Sequence, residues 1–106
     1  MRMLRIYDVA LAMIGELRGV QRTLRGCDPD LARQMKRAAS SVVLNVAEGS
    51  GARGGNRKLR YETALGSARE VGACLDAAVA WNDVADVPAA RAMLREIVGT
   101  LVNVTR

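Results

Sequence analysis

The sequence predicts an all-α protein, an antiparallel up-down four-helix bundle, and three observations carry that prediction. Apolar residues recur at alternating spacings of three and four along four long stretches. Short polar or glycine-rich breaks separate those stretches, which favours antiparallel neighbours. No segment shows the sustained apolar–polar alternation, bounded by hairpin turns, that a strand requires. Composition agrees with this. Hydrophobic residues make up 50% of the chain, yet Phe is absent and Tyr7, Tyr61 and Trp81 are the only aromatics. Ala, Val and Leu supply the apolar volume, and small side chains let helices approach closely. At 106 residues the chain is predicted to be one domain, 1–106, with no room for a second core.

The first helix is predicted over Met3 to Arg25, with Ile6, Ala10, Met13, Leu17, Val20 and Leu24 on one stripe. Arg18, Arg22 and Arg25 share a different, solvated face. Gly26 is expected to stop this helix, Asp28 to cap the next, and Pro29 to fill its first position, where no N–H is needed. The second helix follows to about Glu48, with Leu31, Met35, Ala38, Ala39, Val42 and Val46 inward. Residues Gly49 to Gly55 read as a loop because glycine is costly in a helix. Asn56 is the expected cap of the third helix. There Tyr61, Ala68 and Leu75 recur every seven residues, as do Ala64, Val71, Ala78 and Leu65, Gly72, Val79. Asn82 to Pro88 reads as a turn. The fourth helix then carries Val87, Ala90, Leu94, Ile97, Leu101 and Val104 on its seam.

The formal charge is +5, and all the basic residues except Lys36 and Lys58 are Arg. Arginine's planar fork of donors matches phosphate and carboxylate, so the bias points to anionic partners or to a generally basic protein. The charge is also polarised along the chain. Arg53, Arg57, Lys58 and Arg60 stand in residues 49–60 without an acid, whereas Glu62, Glu70, Asp76, Asp83 and Asp86 oppose Arg69 alone in residues 61–87. Cations at a helix N-terminus oppose its dipole, which suggests an external anion or the carboxylates of a neighbouring subunit. If the anion is a nucleic acid, Arg53, Arg57, Lys58 and Arg60 are the expected phosphate contacts, helped by Arg33 and Lys36 on the second helix.

Catalytic and cofactor chemistry finds no support. The chain has no His, which removes the usual base for a Ser or Cys nucleophile and the Glu-x-x-His ligands of di-metal bundles. Cys27 and Cys74 have no ligand spacing, and no carboxylate cluster suggests a metal. No cofactor and no enzymatic activity are expected. Gly49-x-Gly51-x-x-Gly54 matches the dinucleotide fingerprint in letters only, since a helix, not a strand, precedes it. The longest charge-free run, Ala38 to Ala47, is about half of the roughly 20 residues that a spanning helix needs. Arg2 and Arg5 lead into a sequence broken by Asp8, Glu16 and Arg18, unlike a signal peptide. A soluble, cytoplasmic protein is expected.

The run Arg37-Ala38-Ala39-Ser40-Ser41-Val42-Val43-Leu44-Asn45-Val46-Ala47-Glu48-Gly49 resembles the signature of a bacterial four-helix-bundle family, the intervening-sequence proteins of large-subunit ribosomal RNA. Ala64-Leu65-Gly66-Ser67-Ala68-Arg69-Glu70 resembles that family's second block, and order and separation agree over nearly the whole chain. Val43 departs from the pattern by standing where the family usually has Pro, so the second helix is expected to be straighter. The resemblance assigns Arg37, Asn45, Glu48, Gly49, Gly66, Ser67 and Glu70 as motif residues. They read as structural: Gly66 and Ser67 for close helix contact, and Asn45, Glu48 and Glu70 satisfying one another or Arg37. The resemblance also implies a ring-shaped homopentamer. It further implies kinship with accessory proteins of diversity-generating retroelements, basic bundles that bind nucleic acid and a reverse transcriptase. Two functions remain open at this point: a basic bundle binding RNA or DNA through backbone phosphates, or an oligomeric scaffold for protein partners. Ile14, Val98 and Val102 flank their main stripes and are the expected interface apolar residues.

Overall fold

A computed structural model describes residues 2–106, with side chains from Arg5 onward. Four helices follow in order: α1 Arg2–Cys27, α2 Pro29–Gly51, α3 Gly54–Ala80 and α4 Pro88–Thr105. Each packs on its chain neighbour, and α1 closes the square against α4, with the α2–α3 seam the most extensive. The result is a rod of 42 × 22 × 20 Å, its length set by α3, since 27 residues at ~1.5 Å rise span roughly 40 Å. No strand occurs among the described residues.

The predicted stripes form the core. All six stripe residues of α1 are buried, as are Met35, Ala38, Ala39, Val42 and Val46 of α2. Tyr61, Ala64, Ala68, Val71, Leu75 and Ala78 of α3 meet Ala90, Leu94, Ile97 and Leu101 of α4. Leu31, Leu65, Val79, Val87 and Val104 are only half-buried, so the apolar seams are narrower than their periodicity suggested.

The connections are tighter than predicted, and each correction has a local cause. Gly26 does not stop α1. The Asp28 N–H donates to the Leu24 carbonyl at 2.7 Å and continues the α1 ladder, while Asp28 Oδ1 accepts from the Leu31 N–H at 3.1 Å and caps α2. One residue therefore ends one helix and starts the next. Residues Gly49 to Gly55 are not a seven-residue loop either, since only Ala52 and Arg53 lie outside helices. Ser50 Oγ donates to the Val46 carbonyl at 2.9 Å, and the Ala52 N–H to that of Gly49 at 3.2 Å, holding the last turn of α2. Asn56 is inside α3 rather than at its cap. Arg53 occupies that position without a side-chain cap bond, and Gly54, at φ +57, makes the left-handed corner that the short connection needs.

At the opposite end α3 closes on Asn82, at φ +61. The Asp83 N–H donates to the Ala78 carbonyl at 3.1 Å and that of Asn82 to Val79 at 2.9 Å, the paired bonds of a Schellman motif. Arg91, at the start of α4, then bridges Asp76 on α3 and Asp86 in the turn. No helix of the described residues is long and apolar enough to cross a membrane.

Candidate nucleic-acid interface

The motif residues of α2 and α3 meet along one seam. Ser41 and Ser67 share a hydroxyl–hydroxyl bond of 2.7 Å between the helices. Asn45 Nδ2 donates to the Ser41 carbonyl at 2.9 Å and to Ser41 Oγ at 3.0 Å, so Asn45 fixes the hydroxyl that ties α2 to α3. Ser41 and Asn45 thus form the edge of an interhelical contact. Gly49 is buried in the same seam beneath Tyr61: a Cβ there would overlap Cε1 of the ring and stand 2.6 Å from Cδ1. The glycine is needed for close approach while it stays helical.

Other motif expectations require correction. Gly66 is exposed, and a Cβ added there meets nothing within 4 Å, so it does not mediate a close helix contact. Glu48 does not join a buried network with Asn45 and Glu70. It pairs with Arg60 at 3.0 Å across the α2–α3 seam, and both side chains are about half exposed. Arg37 and Glu70 are exposed and pair with neither of these. The reason is geometric: α3 sits beside the Ser41–Asn45 edge, which leaves the two remaining charges on outward faces.

The six predicted phosphate-binding residues do not form one patch. Arg33 and Lys36 lie in the first half of α2, whereas Arg53, Arg57, Lys58 and Arg60 surround the α2–α3 connection. Lys36 and Arg53 are 17 positions apart, roughly 25 Å along a mostly helical path. Several cations also have protein partners. Arg33 pairs with Asp30, Arg60 with Glu48, and Arg57 Nε donates to the Ala52 carbonyl at 2.9 Å, bracing the connection. Lys36, Arg53 and Lys58 are exposed and have no ion-pair partner among the described residues.

A second concentration of charge lies between α1 and α2. Gln21 Nε2 donates to the Ala32 carbonyl at 2.9 Å and sets the register of the two helices. That register brings Arg18, Arg22 and Arg25 alongside Lys36 over a groove of about 320 Å³, floored by the buried Leu17, Met35 and Ala39. A further recess of about 330 Å³, also lined by Arg25 and Lys36, extends to Arg33. Neither has an acidic lining residue. Arg18, Arg22 and Arg25 are exposed, as their reading as a solvated face expects, but that reading did not anticipate the groove they border. The available signal was their four-and-three spacing beside the apolar stripe, which turns them toward whichever helix packs next.

Among the described residues no group of three or more His, Cys, Asp or Glu side chains could hold a metal ion. No curated protein matches the chain significantly, and no solved structure does. The family model for the 23S rRNA-intervening sequence protein matches residues 2–101, and the chain belongs to that family.

Proposed function

We propose that the protein is a non-enzymatic, basic, oligomeric bundle that binds RNA or DNA through backbone phosphates. One observation carries this reading: among the described residues, the solvent-facing cations Lys36, Arg53 and Lys58 lack carboxylate partners in a chain of formal charge +5. Unsatisfied Arg and Lys side chains contact phosphate well, and such binding is tolerant of sequence. Membership of a family named for ribosomal RNA intervening sequences supports an RNA-associated role. Replacing Arg53, Arg57 and Lys58 with Ala tests it. The expected result is weaker gel shifts across all sequences and a flatter salt dependence, with the oligomer intact on size exclusion. Failure of the parent to shift any RNA or DNA at low salt refutes the proposal.

A second reading, an oligomeric scaffold for protein partners, is favoured by exposed apolar side chains. Leu44, Leu59 and Trp81 are 61%, 56% and 74% exposed on the single chain, with Leu11 at 45%. Ile14, Val98 and Val102 are partly buried, with some apolar surface still accessible. Apolar surface of this kind marks interfaces, and a homopentamer would cover part of it. Native mass spectrometry decides the assembly, and a monomer at micromolar concentration refutes it. If the scaffold is the whole function, the parent shows no salt-sensitive nucleic-acid binding, and the triple variant disassembles because Arg53, Arg57 and Lys58 meet a neighbouring subunit's carboxylates.

A further inference from the structure

The α1–α2 groove gathers cations that the fold itself leaves without counter-charge. Arg18, Arg22 and Arg25 come from α1 at spacings of four and three, and Lys36 comes from α2. None has an ion-pair partner among the described residues, and no Asp or Glu lines the groove. Like charges held over an apolar floor focus the field into the cleft and concentrate anions there. Three of the four are Arg, whose fork suits phosphate oxygens.

The shape narrows the ligand further. The cations lie in a concavity between two helices packed ~8–10 Å axis to axis. One polynucleotide strand can enter such a cleft, whereas a duplex carries its phosphates on a wider convex cylinder. Along α1 the three arginines rise by roughly 6 and 4.5 Å, a stepwise track suited to successive phosphates of one strand. Ile14 and Ser40 line the groove above its buried floor and are partly exposed, which gives an unpaired base one apolar and one hydroxyl-bearing neighbour beside the arginine stems. No aromatic side chain lines the groove, and Arg guanidinium planes can take the stacking role.

We infer that the α1–α2 groove is a single-strand nucleic-acid site, with phosphates on Arg18, Arg22, Arg25 and Lys36 and an unpaired base against Ile14 and the aliphatic stems of the arginines. This rests on the nucleic-acid reading above and moves the main contact away from the α2–α3 connection. Fluorescence anisotropy with a labelled single-stranded RNA 12-mer and with its duplex tests it, using the parent, an Arg18→Ala/Arg22→Ala/Lys36→Ala variant and an Arg53→Ala/Lys58→Ala variant. All five positions are exposed, and circular dichroism checks that each variant folds. At ~0.7 counterions per single-strand phosphate, losing three contacts weakens binding about 50-fold at 0.15 M salt and lowers the salt slope by about 2. The connection variant is expected to lose far less, and the parent to prefer the single strand over the duplex. Inorganic polyphosphate of equal charge is expected to compete less well than unlabelled RNA, because it has no base to lie against Ile14 and the arginine stems. Unchanged binding in the groove variant, equal affinity for duplex, or equal competition by polyphosphate overturns the inference while leaving nucleic-acid binding standing. A parent that binds no nucleic acid overturns both.

Discussion

Gly49→Ala tests the packing of the α2–α3 seam, because two effects oppose each other and the geometry decides the sign. Gly49 lies in the last turn of α2, where Ala is the better helix former by roughly 1 kcal/mol. Propensity alone therefore predicts stabilisation. The added methyl, however, would overlap Tyr61 Cε1, with Cδ1 at 2.6 Å and Cζ at 3.1 Å. Tyr61 is 5% exposed, so its ring cannot swing into solvent without opening the core. Overpacking costs about 1–3 kcal/mol, and outright overlap with a buried ring stands at the upper end, so after the roughly 1 kcal/mol gain in propensity the net effect is a loss of roughly 1–2 kcal/mol. For a chain of this size that lowers Tm by roughly 5–15 °C. Gly66→Ala is the matched control. It stands inside α3 with nothing within 4 Å of the added methyl, and should gain about 0.5–1 kcal/mol. Urea and thermal unfolding of both variants measure the pair. A Gly49→Ala protein as stable as the parent, or a Gly66→Ala protein less stable than it, refutes this account of the seam.

Arg91→Ala should loosen the α3–α4 corner and alter its response to acid. Hydrogen bonds from Arg91 and from the Val87 N–H hold Asp86 below the ordinary aspartate range, so its carboxylate stabilises the fold at neutral pH and that contribution is lost as pH falls through the lowered value. Acid unfolding curves of parent and variant should therefore converge at low pH, and parallel curves contradict the assignment. The two cysteines should differ in access but share low reactivity near neutrality. Local desolvation foremost, with the Asp83 and Asp28 charges, raises the exposed Cys27 thiol, and burial with the Glu70 charge raises Cys74. Thiol titration of the native protein should label Cys27 alone, faster as pH rises, with Cys74 reacting only on unfolding; rapid labelling of both at neutral pH contradicts the packing.

The apolar stripes were legible because each is a property of one helix. Ile6 through Leu24 need only a 3.6-residue period to share a face, and all six are buried. Gly49 was misread for a complementary reason. Glycine's local preference points to a loop, but its need here comes from Tyr61, twelve residues away on another helix. Asn45 and Ser67 were assigned as structural by resemblance, while the hydroxyl that joins them, Ser41, depends on the α2–α3 register. Glu48 and Arg60 were placed in separate roles, and their ion pair is a contact across the seam. The α1–α2 groove was least legible. Arg18, Arg22 and Arg25 lie on a face whose environment is set by the second helix, and the Gln21–Ala32 bond that sets the register is invisible in either helix alone.

The salt dependence of binding tests the central claim most directly. Parent protein is titrated with single-stranded RNA oligonucleotides of unrelated sequence between 50 and 200 mM salt, and the slope of log Kobs against log salt is measured. Four groove cations meeting four phosphates predict a slope of about −3, made steeper by any contact at the α2–α3 connection and the same for every sequence. A slope near zero, or the absence of binding at the lowest salt, contradicts a protein that acts through backbone phosphates.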